Sequence, residues 1–575
     1  MQDQSTTSVL DIATKNATLW TSEIFDQNTR DAAQQMLNAG GEELIESFYK
    51  DLDFGTGGMR GIMGVGTNRI NPYTLGVATQ GLVAYAQEAY GRNNLKAAIA
   101  HDSRNNSKTF ARKVAEVLSA NGVHTYLFED LRPTPELSYA VRELGCDFGI
   151  VLTASHNPKE YNGYKVYWND GGQLVPPHDN GVIAKVRATG FDQIKWEANE
   201  SLIEIVGAAI DEKYTNMIAG LSLSNAGKSD LHVVFTALHG TSIVSVPPAL
   251  KKAGFTKVDL VEAQSIPDGN FPTVASPNPE EGAALAMAVA QAEDTGADLV
   301  IGCDPDTDRV GIAANDGTGK MQLLNGNDTA ALLVHYVLSQ FQANGTLPAN
   351  GFTAATIVTT DLIADISSKF GVPCYRCLTG FKWIADIIAN RPEEKFLVGG
   401  EESYGYLIGD AVRDKDAVAS AVMIAEMAAY AKSQGRTVLQ QLEYIHRTYG
   451  QYQERLISIT KKGRSGAQEI AEMMSNLRHN PPATLAGSPV VMVIDHAVGM
   501  ETDLSSGAEN PTGLPQSNVL QFITEAGDKV SARPSGTEPK IKFYFSVRTT
   551  TGESHAATKA ELDSKIDTFI EELNL

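Results

Sequence analysis

Three aspartates spaced two residues apart stand in the segment Cys303-Asp304-Pro305-Asp306-Thr307-Asp308-Arg309, directly after the apolar run Asp298 to Gly302. In an extended segment, carboxylates at i, i+2 and i+4 project toward one side. Packed together they repel one another unless a cation neutralises them. Hard oxygen ligands select Mg²⁺ or Ca²⁺, and few protein ligands with open positions favour Mg²⁺ working on phosphate. An EF-hand is excluded, because its sixth position would be Arg309 rather than Gly and its twelfth Asn315 rather than Glu. A solvated acidic turn is the plain alternative, weakened by the buried type of strand that the triplet abuts.

Other polar loops also follow apolar runs, and in open α/β sheets ligands sit beyond the carboxyl ends of strands. Thr153-Ala154-Ser155-His156-Asn157-Pro158 offers an exposed hydroxyl nucleophile flanked by an imidazole. Taken alone, an Asx/Pro turn that ends a strand is the stronger reading. Gly399 to Gly405 carries Glu401, Glu402 and Ser403, suited to hydrogen bonding vicinal sugar hydroxyls and equally to a surface turn. Arg533-Pro534-Ser535-Gly536-Thr537 groups a guanidinium, two hydroxyls and a glycine that bares backbone N–H groups, which is the composition of a phosphate cradle. Gly55 to Gly61 fails the dinucleotide pattern, since Arg60 takes the third glycine's place and no clean apolar strand precedes it. It reads as a glycine-rich loop that presents Arg60 to an anion.

The elements that must position these loops alternate strand and helix. Leu95–Ala100, Val123–Phe128 and Phe148–Leu152 read as strands, with a helix from about Lys108 to Ala120 stopped by Asn121-Gly122. The pattern restarts at Leu231–Ala237, continues through the helix Glu281–Glu293 and the strand Asp298–Gly302, and restarts again with the helix Asp328–Phe341 and the strands Ala354–Thr360 and Phe396–Val398. Such alternation indicates parallel βαβ units. Beyond Tyr449, Val490–Ile494, Val519–Thr524 and Ile541–Val547 lack crossover helices, which indicates an antiparallel α+β block. The fold class is therefore α/β, with three parallel-type α/β domains (residues 1–205, 206–320 and 321–450) and a C-terminal α+β domain (451–575). Four domains also match 575 residues at about 150 per domain.

Composition narrows the function classes. Lys+Arg is 47 against Asp+Glu 69, a formal net charge of −22, so neither nucleic acid nor an anionic membrane is an expected partner. An anionic substrate must be captured by a local basic pocket. Four cysteines in this length make no disulfide framework, and Cys374-Tyr375-Arg376-Cys377 reads as two partly buried thiols rather than a redox or zinc pair. The N-terminal segment has no signal-peptide pattern, and the longest apolar stretch, Ala417 to Ala431, contains Glu426 and is too short to span a bilayer. The expected location is the cytoplasm.

Together the loops resemble the α-D-phosphohexomutase family and its phosphoglucomutase branch. The shared segments are TASHNP, NGYK, PDGNFPTV with NPE (Pro267 to Glu280), DPDTDR, TGFK, GEESYG, RDKD and RPSGTEP, in the family's order from about residue 50 to 545. The resemblance implies four domains around a central cleft. It implies that Ser155 carries and regains a phosphoryl group, and that Asp304, Asp306 and Asp308 hold Mg²⁺ together with an oxygen of the phosphorylated Ser155. Arg309 and Arg60 would stabilise charge on the transferring group. Glu401 and Ser403, with Thr379 and Gly380 beside them, would hold sugar hydroxyls. Arg533, Ser535, Gly536 and Thr537 would grip the phosphate that is not reacting, with Lys415 close to the sugar phosphate. Lys165, His156 and Lys415 are all candidates for the general base.

The implied activity is the interconversion of glucose 1-phosphate and glucose 6-phosphate through a 1,6-bisphosphate that also primes Ser155. GEES in place of GEMS argues against a dedicated mannose enzyme. SGTEPK and GEESYGY look closer to the subgroup with phosphopentomutase-like and glucose-bisphosphate-synthase-like members. Two rivals of other classes remain. DLVIGCDPDT resembles the first motif of haloacid-dehalogenase-type phosphatases, but that reading leaves Asp308, the serine loop and RPSGTEP unexplained. A sugar-phosphate sensor without turnover would not need Ser155, three carboxylates and Arg309 together. Oligomeric state is not legible in the sequence.

Overall fold

The computed structural model describes residues 8–55, 57–461, 463–535, 540–549 and 555–575. They form two compact units: Met1–Leu324 with Ala385–Lys395 and Ser403–Gln434, and Asn325–Ile384 with Phe396–Glu402 and Gly435–Leu575.

The first unit holds two sheets. The strands of the first are β1 (Gly58–Ile62), β2 (Lys96–His101), β3 (His124–Phe128), β4 (Phe148–Leu152), β5 (Tyr161–Trp168) and β6 (Ile203–Val206), in the order β1-β5-β4-β2-β3-β6. The second is built from β7 (His232–Thr236), β8 (Lys257–Leu260), β9 (Leu299–Cys303), β10 (Val310–Asn315) and β11 (Met321–Leu324), in the order β11-β10-β9-β7-β8. The helix Ser107–Ala120 buries Phe110, Ala111, Val114, Ala115 and Leu118, a three-and-four spacing that seats one face on the first sheet.

Both sheets keep a parallel centre, as the alternating pattern predicts, but both are mixed. β5 pairs antiparallel with β4 and β1 antiparallel with β5, while β10 pairs antiparallel with β9 and β11 with β10. The reason is connection length. Residues 153–160 join β4 to β5 and residues 304–309 join β9 to β10. Neither is long enough for the crossover that a parallel neighbour requires, which takes a dozen residues or more. The serine loop and the aspartate loop are therefore hairpin turns.

A second difference concerns Arg60. Gly58–Ile62 is a strand rather than a glycine-rich loop, registered from Gly58 opposite Lys165 to Ile62 opposite Tyr161. Alternation of apolar residues is missing, and Gly58 serves close pairing with β5. Gly58 has φ 121°, and a Cβ there would stand 1.8 Å from the Tyr164 carbonyl oxygen.

The apolar stretch identified in the sequence is the helix Ala417–Ser433, buried along nearly its whole length. Asp416 caps it, accepting from the Val418 and Ala419 N–H groups and from the Tyr214 hydroxyl. Its one interior carboxylate, Glu426, pairs with Lys228 at 2.7 Å and accepts hydrogen bonds from the backbone N–H of Leu223 and Ser224. The buried charge thus fastens the segment before β7 to the helix. No described helix is long and apolar enough to cross a membrane.

In the second unit the strand Gly351–Thr356 runs parallel to Cys374–Cys377 and lies next to Lys395–Glu401. The first of these ends earlier than the pattern of Ala354–Thr360 predicts, because the carbonyls of Thr356, Thr359 and Thr360 turn to the Arg376 guanidinium. Cys374 and Cys377 form no disulfide, being three apart on a strand and so on opposite faces. The C-terminal sheet is antiparallel, with Gln451–Thr460, Lys540–Thr549, Lys529–Pro534, Leu520–Thr524 and Ser488–Asp495 as successive neighbours. Two helices, Gly463–His479 and His555–Glu572, cover it through Ile470, Met474, Leu562, Ile566 and Phe569.

Truncating one member of the Lys228–Glu426 pair strands the other charge in the interior. Glu426→Ala is expected to lower unfolding free energy by about 3 kcal/mol or more in chemical denaturation. A loss under about 1 kcal/mol would show that the pair does not carry this junction.

Candidate active site

The turn after β4 brings Ser155 into a buried position with φ 53°, in the left-handed region that a serine seldom occupies. Its backbone N–H donates to Thr153 Oγ1 at 2.8 Å, and its Oγ lies 2.9 Å from Asp304 Oδ2 and 3.1 Å from His156 Nδ1. Burial, and then the positive charges of Arg309 and Arg60, push the His156 pKa well below its usual range, so the imidazole is neutral.

The turn after β9 is shaped to converge its carboxylates. Thr307 has φ 60°, and Asp304 Oδ1 accepts the N–H groups of Asp308 and Arg309 at 3.0 and 2.9 Å. Thr134, at the start of the helix Thr134–Glu143, clamps Asp306 twice: its hydroxyl donates to Oδ2 and its N–H to the main-chain carbonyl, both at 2.9 Å. One oxygen from each of Asp304, Asp306 and Asp308 falls within 4.8 Å of the others, and all three residues are buried. Asp306 Oδ1 and Asp308 Oδ1 are buried without a hydrogen-bond donor among the described residues. Two open carboxylate oxygens in a cluster of three form a donor set that suits a divalent cation.

The cluster's charge is also met by lysines. Lys165, paired with Val151 of β4 in the hairpin register, reaches Asp306 Oδ2 at 2.7 Å and Asp308 Oδ2 at 2.9 Å. Lys415 stands 3.3 Å from Asp308 and 3.0 Å from Asp414. Burial raises the Asp304 pKa well above the carboxylate range, and the neighbouring Asp306 and Asp308 charges add to it. Asp308 is held below that range: burial opposes its charge, but Lys165, Lys415 and Arg309 outweigh the burial. Burial likewise works against the Lys165 ammonium, and the facing Asp306 and Asp308 carboxylates reverse the sign, so its pKa is raised. Arg309 is ion-paired with Glu280, and Arg60 Nη1 donates to Asn157 Oδ1 at 3.0 Å, beside the serine.

The first unit thus gathers Arg60, Ser155, His156, Lys165, Asp304, Asp306, Asp308, Arg309 and Lys415 from segments far apart in the chain. Ser403 also belongs to this unit, whereas Thr379, Gly380, Glu401, Arg533 and Ser535 belong to the other. Gly536 and Thr537 lie outside the described residues. In the second unit the Gly380 N–H donates to Glu401 Oε1 at 2.8 Å, which ties the TGFK segment to the GEES segment. Glu402 accepts from Thr359 at 3.1 Å and Thr356 at 3.3 Å. Burial and then the Glu401 charge push its pKa up to about 7. Burial and then the Glu402 charge raise the Tyr544 pKa, against partial relief from Arg533.

Sequence reasoning did not single out Asp414, Glu280 or Thr134. Asp414 accepts from Tyr167 at 2.7 Å and from Gln173 at 2.8 Å as well as from Lys415. Asp414 and Glu280 stand inside quoted motifs, so their signal was present. Thr134 carried none, since its role depends on a contact 172 residues along the chain.

Comparison with known proteins gives consistent matches. Residues 51–193 match the alpha/beta/alpha domain I of phosphoglucomutase/phosphomannomutase, residues 212–317 domain II and residues 325–448 domain III. A phosphoglucomutase of Staphylococcus haemolyticus is 37% identical over 508 residues, 87% of this chain and 91% of that protein. One from Staphylococcus aureus is 36% identical over 542 residues, 93% of this chain and 96% of that protein. Among solved structures, the open form of pp63/parafusin from Paramecium superposes with TM-score 0.67 at 16% identity, covering 91% of this chain and 96% of that one. A phosphoglucomutase/phosphomannomutase family protein from Burkholderia thailandensis gives TM-score 0.65 at 18% identity, covering 91% and 97%. At those identities the structural likeness speaks for the fold.

Asp416, next to Lys415, supplies a pH test of this region. Burial raises its pKa to about 6, against partial relief from the Ala419 N–H, the Tyr214 hydroxyl and the Val418 N–H. The unfolded carboxyl ionises near 3.8, so the folded state binds this proton more tightly. Its contribution to stability is complete below about pH 4 and is lost as pH rises through about 6. Asp416→Asn should therefore gain on the wild type by about 3 kcal/mol between pH 4 and pH 7 in denaturation titrations. A pH-independent difference between the two would contradict the shift.

Proposed function

The chain belongs to the phosphoglucomutase/phosphomannomutase family, and on that premise we propose that it interconverts glucose 1-phosphate and glucose 6-phosphate through a phosphoserine at Ser155. The observation that carries the reading is the 2.9 Å approach of Ser155 Oγ to Asp304 inside a buried cluster of three carboxylates. The relatives that match over 87% and 93% of this chain are phosphoglucomutases.

The open oxygens of Asp306 and Asp308 and the hydroxyl-facing oxygen of Asp304 fit Mg²⁺, which when bound would neutralise charge on the phosphoryl group. Phosphorylated Ser155 gives up its phosphoryl group to the free hydroxyl of the sugar monophosphate. The P–Oγ bond breaks, a P–O bond to the sugar forms, and the sugar hydroxyl proton passes by way of a base to the released Ser155 Oγ. The resulting 1,6-bisphosphate turns over, and its other phosphoryl group returns to Ser155 Oγ as its bond to the sugar oxygen breaks and that oxygen takes up the serine proton by way of the base. His156 is assigned to receive the serine proton, because its neutral Nδ1 lies 3.1 Å from Oγ. Lys165 keeps its own proton between two carboxylates and acts electrostatically. Such transfer depends on alignment and charge stabilisation more than on covalent assistance; Arg309 and Arg60 supply the latter. Glu401 and Ser403, with Thr379 and Gly380, are assigned to the sugar hydroxyls, and Lys415 to the sugar phosphate. Arg533, Ser535, Gly536 and Thr537 are assigned to the phosphate that does not react. The reading includes four domains divided near residues 205, 320 and 450, Mg²⁺ and glucose 1,6-bisphosphate as requirements, and a cytoplasmic location.

Ser155→Ala should lower turnover of glucose 1-phosphate by at least about 10⁴-fold while glucose 6-phosphate binding by calorimetry changes little. Substantial residual turnover would sink the phosphoserine mechanism, and acid-labile phosphoprotein would point to phospho-Asp304 instead. Asp306→Ala should lose turnover and Mg²⁺ response together; an unchanged Mg²⁺ titration would remove the triplet from the site. Ranking glucose, mannose and ribose 1-phosphates by kcat/KM tests the sugar assignment, with glucose expected to lead.

A further inference from the structure

The loop that carries Ser155 is held by a residue outside the segments discussed so far. Arg104 follows β2 in the sequence His101-Asp102-Ser103-Arg104, and its side chain is completely buried. Its guanidinium collects carbonyls along the whole turn from the serine to β5. Nη2 donates to the Ser155 carbonyl at 2.6 Å and to that of Asn157, and Nη1 donates to Pro158 at 2.8 Å and Tyr161 at 3.1 Å. The turn's own backbone bonds here are few: Asn157 N–H to the Ala154 carbonyl and Tyr161 N–H to the Pro158 carbonyl. With Ser155 at φ 53°, this backbone needs outside support to persist.

Arg104 is itself fixed from two sides. Asp102 pairs with its Nε at 3.3 Å, and the same carboxylate accepts the Arg104 N–H at 2.9 Å and the Ser107 hydroxyl at 2.7 Å. From the second α/β block, the segment Pro267–Phe271 closes over it. The Phe271 ring lies over the guanidinium at 5.1 Å, and Asn105 Nδ2 donates to Asn270 Oδ1 at 3.1 Å. Gly269 sits so close that a Cβ there would stand 2.3 Å from the Asn105 nitrogen. A desolvated cation under an aromatic face holds its geometry more firmly than an exposed one.

We propose that Arg104 is the positioning residue for phosphoryl transfer, setting the place of Ser155 Oγ through the turn's carbonyls, with Phe271 as its cover. The inference rests on the phosphoserine reading above. A planar fork of donors can span four carbonyls; a lysine ammonium, with three donors on one nitrogen, cannot.

Arg104→Lys keeps the charge and removes the fork. Expected in this variant are a kcat about 100-fold lower with KM within about threefold, since an ångström-scale misplacement has that effect. Hydrogen exchange in peptides covering residues 153–163 should quicken by about tenfold or more while the rest of the first sheet keeps its protection. Turnover within about threefold of the wild type would overturn the inference, as would quickened exchange spread evenly over the sheet, which marks a general structural role. Should Arg104→Lys fail to fold, Phe271→Leu decides: the same local exchange signature with reduced kcat supports the inference, and wild-type exchange and turnover defeat it. Ser155→Ala is run alongside. Turnover surviving in it fails the phosphoserine reading, whereas its loss with unchanged Arg104→Lys fails the positioning role alone.

Discussion

The first unit is organised around the charge of three aspartates that the chain brings within 4.8 Å in its interior. Carboxylates in such a place cannot all remain ionised without compensation. The fold answers with backbone N–H groups on Asp304, a threonine clamp on Asp306, and the ammonium of Lys165 shared between Asp306 and Asp308. Lys415 and Asp414 extend the alternation of charge toward Tyr167 and Gln173. The compensation is incomplete by design of the donor set, because one oxygen each of Asp306 and Asp308 is left open to a cation.

That arrangement explains why two antiparallel hairpins interrupt sheets that are otherwise parallel at their centres. Short turns after β4 and β9 force the chain to double back, and each hairpin delivers a functional group. β5 returns with Lys165 paired to Val151, and β10 leaves the aspartate turn immediately after Arg309. A crossover helix in either place would have carried the next residues away to the sheet's face. Each of the two turns carries one residue in the left-handed region, Ser155 and Thr307, where packing from other segments holds it.

The second unit uses a related device. Arg376 gathers the carbonyls of Thr356, Thr359 and Thr360, and the hydroxyls of Thr356 and Thr359 then meet Glu402. A guanidinium that fixes a loop by its carbonyls therefore occurs in both units.

By itself, the sequence determined the alternation of strands and helices and the antiparallel character of the C-terminal block, and it supplied the candidate residues on which the proposed phosphoryl chemistry rests. Those properties are local: periodicity, turn residues and the composition of short loops are written within a few positions of one another. It also determined that the Ala417–Ala431 stretch is too short to span a bilayer. What only the tertiary structure decided was partnership. Ser155 meets Asp304, Thr134 clamps Asp306, Lys165 chooses Asp306 and Asp308, and Glu426 finds Lys228, each across 141 to 198 residues of chain. The glycine-rich segment that became β1 misled the pattern for the same reason, since its Gly58 answers to the Tyr164 carbonyl, more than a hundred residues on. Charge pairing and close backbone approach are settled in space, after topology has placed distant segments side by side.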